Sequence, residues 1–240
     1  MHRQVLPLLL VGLLVLSSAV PAAAQDRTRE SRDVASFTEV GFSVPGTLHL
    51  RQGDSRAVEV EASRAVLDNL ETTVEGDRLE IRDDENFFEQ MFDSSEDGPV
   101  DVYVTAPTLE TISLAGSGTV TGETSVEAKS LALDNAGSGT IDLGVDTGPL
   151  RIGIAGSGTV RLRGTADEAT VQIAGSGTVE AEEVTTSTAE VEVAGSGDTA
   201  LHVTDRLSVQ IMGSGDVVYR GSPTLDTSIL GSGEVRSVEQ

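Results

Sequence analysis

The chain has 240 residues, with 39 acidic side chains against 16 basic ones, a net charge of −23 and no cysteine. That balance excludes a phosphate-tracking nucleic-acid binder, which needs clustered Lys and Arg, and argues equally against docking on anionic lipid. Without cysteine there is no disulfide framework, thiolate metal site or cysteine nucleophile.

Residues 1–24 read as a secretory signal: a short basic start (His2, Arg3), an apolar run from Val5 to Val20, then Pro21-Ala22-Ala23-Ala24, with cleavage expected before Gln25. The apolar run is shorter than the roughly 20 residues a membrane span needs. No twin arginine is present, so the general secretion route is expected. Removing residues 1–24 takes away one basic residue, Arg3, and leaves 39 acidic against 15 basic side chains, a net of −24. The mature chain is expected to be soluble and extracytoplasmic (periplasm, cell surface or secreted), with no transmembrane segment. Residues 25–36 read as a charged, flexible leader, and residues 37–240 as a single β domain.

Within that domain, residues 37–104 are the less regular part. Phe37-Thr38-Glu39-Val40, Val44 to Leu50, Ala57 to Ala62, Leu79-Glu80-Ile81 and Val100 to Val104 alternate like strands, with Gly53-Asp54 and Gly76-Asp77 at turns. Arg64 to Leu70 suggests a short helix. These N-terminal coils and cap are expected to start a solenoid and close its end, because open solenoid ends expose strand edges. An acidic insert, Asp83 to Asp93, carries Phe87, Phe88, Met91 and Phe92 on one face of a short helix. That face reads as a plug on the solenoid end, or else as an exposed partner-binding knob.

Residues 105–240 are written in glycine. Seven Gly-Ser-Gly triplets recur every 18 to 21 residues: Gly116-Ser117-Gly118, Gly137-Ser138-Gly139, Gly156-Ser157-Gly158, Gly175-Ser176-Gly177, Gly195-Ser196-Gly197, Gly213-Ser214-Gly215 and Gly231-Ser232-Gly233. A flexible linker would be Gly/Ser-rich throughout, whereas these triplets sit among β-branched and aliphatic residues. Take the first Gly of each as position 0. Positions −4, −2 and +4 are then almost all Ile, Leu or Val, as in Ile152, Ile154 and Val160. A period of two means strands with one face buried. A repeat of about 19 residues means one coil per triplet. The fold class is therefore all-β: a right-handed, single-stranded parallel β-helix with about seven GSG-marked coils. If the period runs through the triplet, both glycines point inward and the Ser residues stack outward. Asn135, in the inward row, is expected to satisfy itself along the stack. At position +5, Asp142, Arg161 and Glu180 suggest a salt-bridge ladder.

Four features carry a resemblance: the Phe37-Thr38-Glu39-Val40 opening, Leu79-Glu80-Ile81, the Ala106-Pro107-Thr108-Leu109-Glu110 lead-in and the repeated GSG-x-[VI]. By these, residues 37–235 resemble the auto-transporter adhesin head GIN domain family of exported bacterial β-solenoid proteins. The resemblance implies a right-handed parallel β-helix similar in shape to pectin lyases, an adhesive role and no established catalytic residues.

Catalysis has little independent support. Beyond the signal only His49 and His202 remain, neither in a metal or nucleophile motif, and the Ser column has no repeated base to activate it. The expected function is a non-catalytic envelope or cell-surface module for adhesion or scaffolding, whose partner is a surface glycan or protein. The alternative is a polysaccharide-acting enzyme, suggested by the pectin-lyase shape alone. No cofactor is expected, with one exception. Position +3 changes from Thr119, Thr140, Thr159 and Thr178 to Asp198, Asp216 and Glu234 in the last three coils. Carboxylates stacked about 4.8 Å apart repel, so the column reads as a solvated acidic strip screened by salt or else as a weak surface Ca²⁺ site.

Overall fold

A computed structural model describes residues 27–83 and 99–238. The signal region (residues 1–24) and the Phe-bearing part of the acidic insert lie outside the described residues.

The chain is a β-solenoid of about seven turns. One complete coil is seen in β8 (Thr111–Gly116), β9 (Thr119–Gly122) and β10 (Val126–Ala128), with β11 (Leu131–Gly137) beginning the next. Later strands run through the bends as continuous ribbons: β12 (Thr140–Gly156), β13 (Thr159–Gly175), β14 (Thr178–Gly195) and β15 (Asp198–Gly213). Each stacks parallel on the next, so that Ile154 lies beside Ile173 and Ile173 beside Val193. The rows at −4, −2 and +4 are buried from Ile112 to Val217, with Asn135 and Thr199 the polar members. Each aliphatic side chain so buried contributes about 1.5–3 kcal/mol relative to exposure, which is why the inward rows tolerate so little polarity.

At the N-terminal end, spatial order departs from chain order. The segments β2 (Glu39–Phe42) and β3 (Thr47–Gln52) form one coil, and β6 (Arg78–Asp83) and β7 (Asp101–Ala106) form another. β2 pairs with both β6 and β8, while β3 pairs with both β7 and β9, all parallel. The first coil in sequence is thus second in the stack. Its corner, Ser43-Val44-Pro45-Gly46, takes the place of a GSG triplet: Phe42 pairs with Leu114 and Thr47 with Thr119. In the coil above, Ile81 and Asp101 hold those two places. β6 thus ends, at Asp83, and β7 begins, at Asp101, on either side of the same corner.

The end is closed by reversing strand direction. β4 (Ala57–Ala62) runs antiparallel to β7, and β1 (Thr28–Arg32) antiparallel to β4. On the other wall β5 (Leu70–Glu75) folds back on β6 through Gly76-Asp77, where Gly76 has φ +64°. Between β4 and β5, α1 (Arg64–Asn69) buries Val66 and Leu67, with the Ser63 hydroxyl capping its first turn through Val66 N–H. Residues 28–32, expected within a flexible leader, are instead this ordered edge strand. Arg29–Glu59 at 2.7 Å and Arg27 paired with both Glu61 and Asp101 hold the edge in place.

The triplet differs from expectation at position 0. Only the second glycine faces the core. The first has positive φ, from +85° at Gly116 to +146° at Gly213, and turns the corner half-exposed. From Gly137 onward, a Cβ there would strike the carbonyl of the corresponding glycine one coil back, 2.1 Å away at Gly195. The second glycine leaves room for the −2 side chain of the previous coil: a Cβ at Gly177 would sit 2.5 Å from Ile154 Cγ2. The central Ser is outward, and its backbone N–H donates to the position-0 carbonyl one coil back, as in Ser176 to Gly156 at 2.8 Å.

Candidate functional site

The outward rows of the wall before each triplet form the most developed surface feature. Position −1 carries Ala115, Ala136, Ala155, Ala174 and Ala194, stacked in register and all exposed. Met212 and Leu230 continue the column, 61% and 71% exposed. Beside it, position −3 carries Ser113, Asp134, Gly153, Gln172, Glu192, Gln210 and Ser228. The short methyls and longer −3 side chains enclose a shallow groove of about 520 Å³ along five coils. Its polar rail is organised. Arg151 donates to Gln172 Oε1 at 2.7 Å, and Gln172 Nε2 donates to Glu192 Oε2 at 2.9 Å. Gly153 leaves the space beside Asp134 open, since a Cβ there would lie 2.9 Å from Asp134 Oδ1. Chemically this is an apolar floor with hydrogen-bonding groups along one rim. The sequence carries it as the recurrent Ala-Gly-Ser-Gly, but an outward Ala has no distinctive chemistry until the coils align it.

The serines Ser117, Ser138, Ser157, Ser176, Ser196, Ser214 and Ser232 line the neighbouring corner, with no base beside them among the described contacts. Asn135 is buried, and its Nδ2 donates to Gly139 O at 2.9 Å and Thr159 O at 3.4 Å. Its Oδ1 has no partner, so the stack satisfies only half of the amide. At position +5 the ladder is partial: Arg161 pairs with Glu180 at 2.8 Å, but Asp142 pairs with Arg163 at 3.0 Å.

The +3 column stacks as expected, but two of its three carboxylates, those of Asp198 and Asp216, accept backbone hydrogen bonds. Asp198 Oδ1 accepts from Asp216 N–H at 3.0 Å, and Asp216 Oδ1 from Glu234 N–H at 2.9 Å. In earlier coils that N–H donates to a glycine carbonyl, as Thr178 does to Gly158. The acidic side chains thus substitute for a missing backbone acceptor, which accounts for the change from Thr to Asp. Among the described residues no group of three or more His, Asp or Glu side chains converges as a metal would require.

His49 joins a polar cluster against the cap. Its Nε2 lies 3.0 Å from Asp101 Oδ1, its ring stacks on Tyr103 at 4.6 Å, and Arg29 lies over Tyr103 at 3.9 Å. Burial raises the Asp101 pKa, but hydrogen bonds from His49 and Arg27 and their charge outweigh that and hold it below the usual carboxylate value. A depressed folded pKa contributes stability that is complete above the unfolded value, about 3.9, and is lost as pH falls through the folded one. Amide protection factors in β1 and β4, taken against the intrinsic exchange rate at each pH, should therefore fall on acidification below about pH 4. In Asp101→Asn that acid-induced step should be missing. His202 makes one contact, Nδ1 to Thr185 Oγ1 at 3.5 Å. No helix among the described residues is long and apolar enough to cross a membrane.

These features define a class: a capped parallel β-solenoid that presents a long, repetitive outer face. Residues 36–223 match the family described as "Putative auto-transporter adhesin, head GIN domain", and the chain belongs to it. Similar solved structures include a "putative adhesin" from Bacteroides fragilis, 22% identical with TM-score 0.82 over 90% of this chain and 98% of that one. A "putative lipid binding protein" from Parabacteroides distasonis is 23% identical with TM-score 0.72, over 89% and 97%. A "putative adhesin" from Parabacteroides merdae is 18% identical with TM-score 0.68, over 89% and 96%. No curated protein sequence matches the chain.

Proposed function

We propose that this protein is an exported, non-catalytic adhesion module that holds an uncharged glycan along the alanine-floored groove. The observation that carries the reading is the groove itself. A sugar ring has an apolar C–H face and a hydroxyl edge. The methyls of Ala136, Ala155, Ala174 and Ala194 suit the first, and Asp134, Gln172, Glu192 and Gln210 suit the second. Repetition from coil to coil lets weak contacts sum along a chain of sugars, and a net charge of −23 disfavours anionic polymers. A second reading, a lipid ligand, is favoured by Met212 at the groove end and by the described role of the Parabacteroides distasonis neighbour. An acyl chain in so open a trough leaves one side of its surface in water, which works against that reading.

A neutral-glycan array, with phosphatidylcholine vesicles and a sugar-release assay in parallel, tests the reading. Glycan binding without turnover is expected, weakened at least tenfold in Ala174→Phe, whose side chain fills the groove from an exposed position. Vesicle binding in place of glycan binding supports the lipid reading, and turnover overturns both.

A further inference from the structure

The two ends of the solenoid are built differently. The N-terminal end finishes in antiparallel strands, and its outermost strand, β1 (Thr-Arg-Glu-Ser-Arg), carries three charges in five residues. The C-terminal end has no such closure among the described residues. β17 (Thr224–Gly231) pairs only with β15, and β18 (Val235–Ser237) only with β16 (Val217–Arg220). All eight residues of β17 are exposed. Leu225 and Ile229, which share the phase of the inward rows, are 41% and 40% exposed, and Val238 is 40% exposed. Protein edges are ordinarily blunted by charge, proline or a covering segment. Within β17 the only charged residue is Asp226, and there is no proline.

We infer that this end is a docking surface for a second copy of the same chain, joined through antiparallel pairing of β17 with β17 about a two-fold axis at Thr227. Three observations select that occupant. First, β17 reversed on itself about Thr227 sets Leu225 opposite Ile229 twice and Thr227 opposite Thr227, with inward residues meeting only inward residues. Cross-strand aliphatic and Thr–Thr pairs are the stabilising unit of such a ladder, and the interface is isologous, as a two-fold requires. Second, Thr227 stands where the preceding six coils bury Ile112, Leu133, Ile152, Val171, Val191 and Val209. Third, charge permits the approach. The last coil, residues 221–238, carries Asp226, Glu234 and Arg236, hence 1 − 2 = −1, in a chain of net −23. The pairing turns two open ends into one continuous core and leaves both capped ends outward, so assembly stops at two copies.

The test uses the purified chain from Gln25 onward. Sedimentation across concentrations should show a monomer–dimer equilibrium in which Ile229→Lys shifts dissociation at least tenfold toward monomer with unchanged circular dichroism. Because the chain has no cysteine, Thr227→Cys gives a direct check of register. Opposed residues in an antiparallel ladder have Cα atoms about 4.5–5.5 Å apart, within disulfide reach, so mild oxidation should cross-link it. In Thr224→Cys the two cysteines would be six residues out of register, about 20 Å apart, and should stay free. Monomer at every concentration, a dimer indifferent to Ile229→Lys, or equal cross-linking of the two cysteine variants would each overturn the inference.

Discussion

Gly195→Ala should strongly destabilise the C-terminal coils, although it adds one methyl group. Gly195 has φ +135°, a conformation that costs a residue with a Cβ about 1–3 kcal/mol. The added carbon would also lie 2.1 Å from the Gly175 carbonyl oxygen. That oxygen accepts the Ser196 N–H at 2.9 Å, so it cannot retreat without breaking the rung that joins two coils. Strain and lost rung together should cost about 4 kcal/mol, at the high end for a single substitution. Thermal melts and hydrogen exchange check this: protection should vanish first in β14 and β15. The adjacent Ser196→Ala, at an exposed corner, should change stability by less than about 0.5 kcal/mol.

A still larger loss is expected for Ile173→Asp. Ile173 is 2% exposed and stacks between Ile154 and Val193. Removing the aliphatic group alone costs about 2–5 kcal/mol, and placing an unpaired carboxyl in the same space adds several more, whether it stays charged or takes up a proton. The total approaches the whole stability of an ordinary domain, about 5–15 kcal/mol. Solenoid coils touch only their neighbours, so the damage should spread from β13 to its two flanking coils before reaching the N-terminal cap. Ser176→Ala should be nearly silent. A melt in which Ser176→Ala is the more damaging would reverse the assignment of inward and outward rows.

The coils were legible because their signals are local. Ile, Leu or Val at −4, −2 and +4 beside a glycine triplet describe a strand, a corner and a strand, whatever surrounds them. The buried rows of the structure are those residues, and α1 and the Gly76-Asp77 turn stand where their sequence places them. Position 0 escaped a period-two reading because a residue with positive φ breaks the alternation, and glycine has no side chain to reveal the break. The groove escaped for a related reason: Ala174 becomes a floor only when Ala155 and Ala194 lie beside it.

What the sequence determined by itself was the repeat, its length, the inward rows and hence the solenoid, since each depends on side chains within one coil. Tertiary structure alone decided the rest. It set β2 and β3 between the β6–β7 and β8–β9 coils and made residues 28–32 an edge strand. It gave the carboxylates of Asp198 and Asp216 to backbone N–H groups, and it left β17 uncovered. Each of these is a pairing between segments distant in the chain or between successive coils. The partner's position is fixed by hydrogen-bond register across coils, and no single coil's residues encode that register.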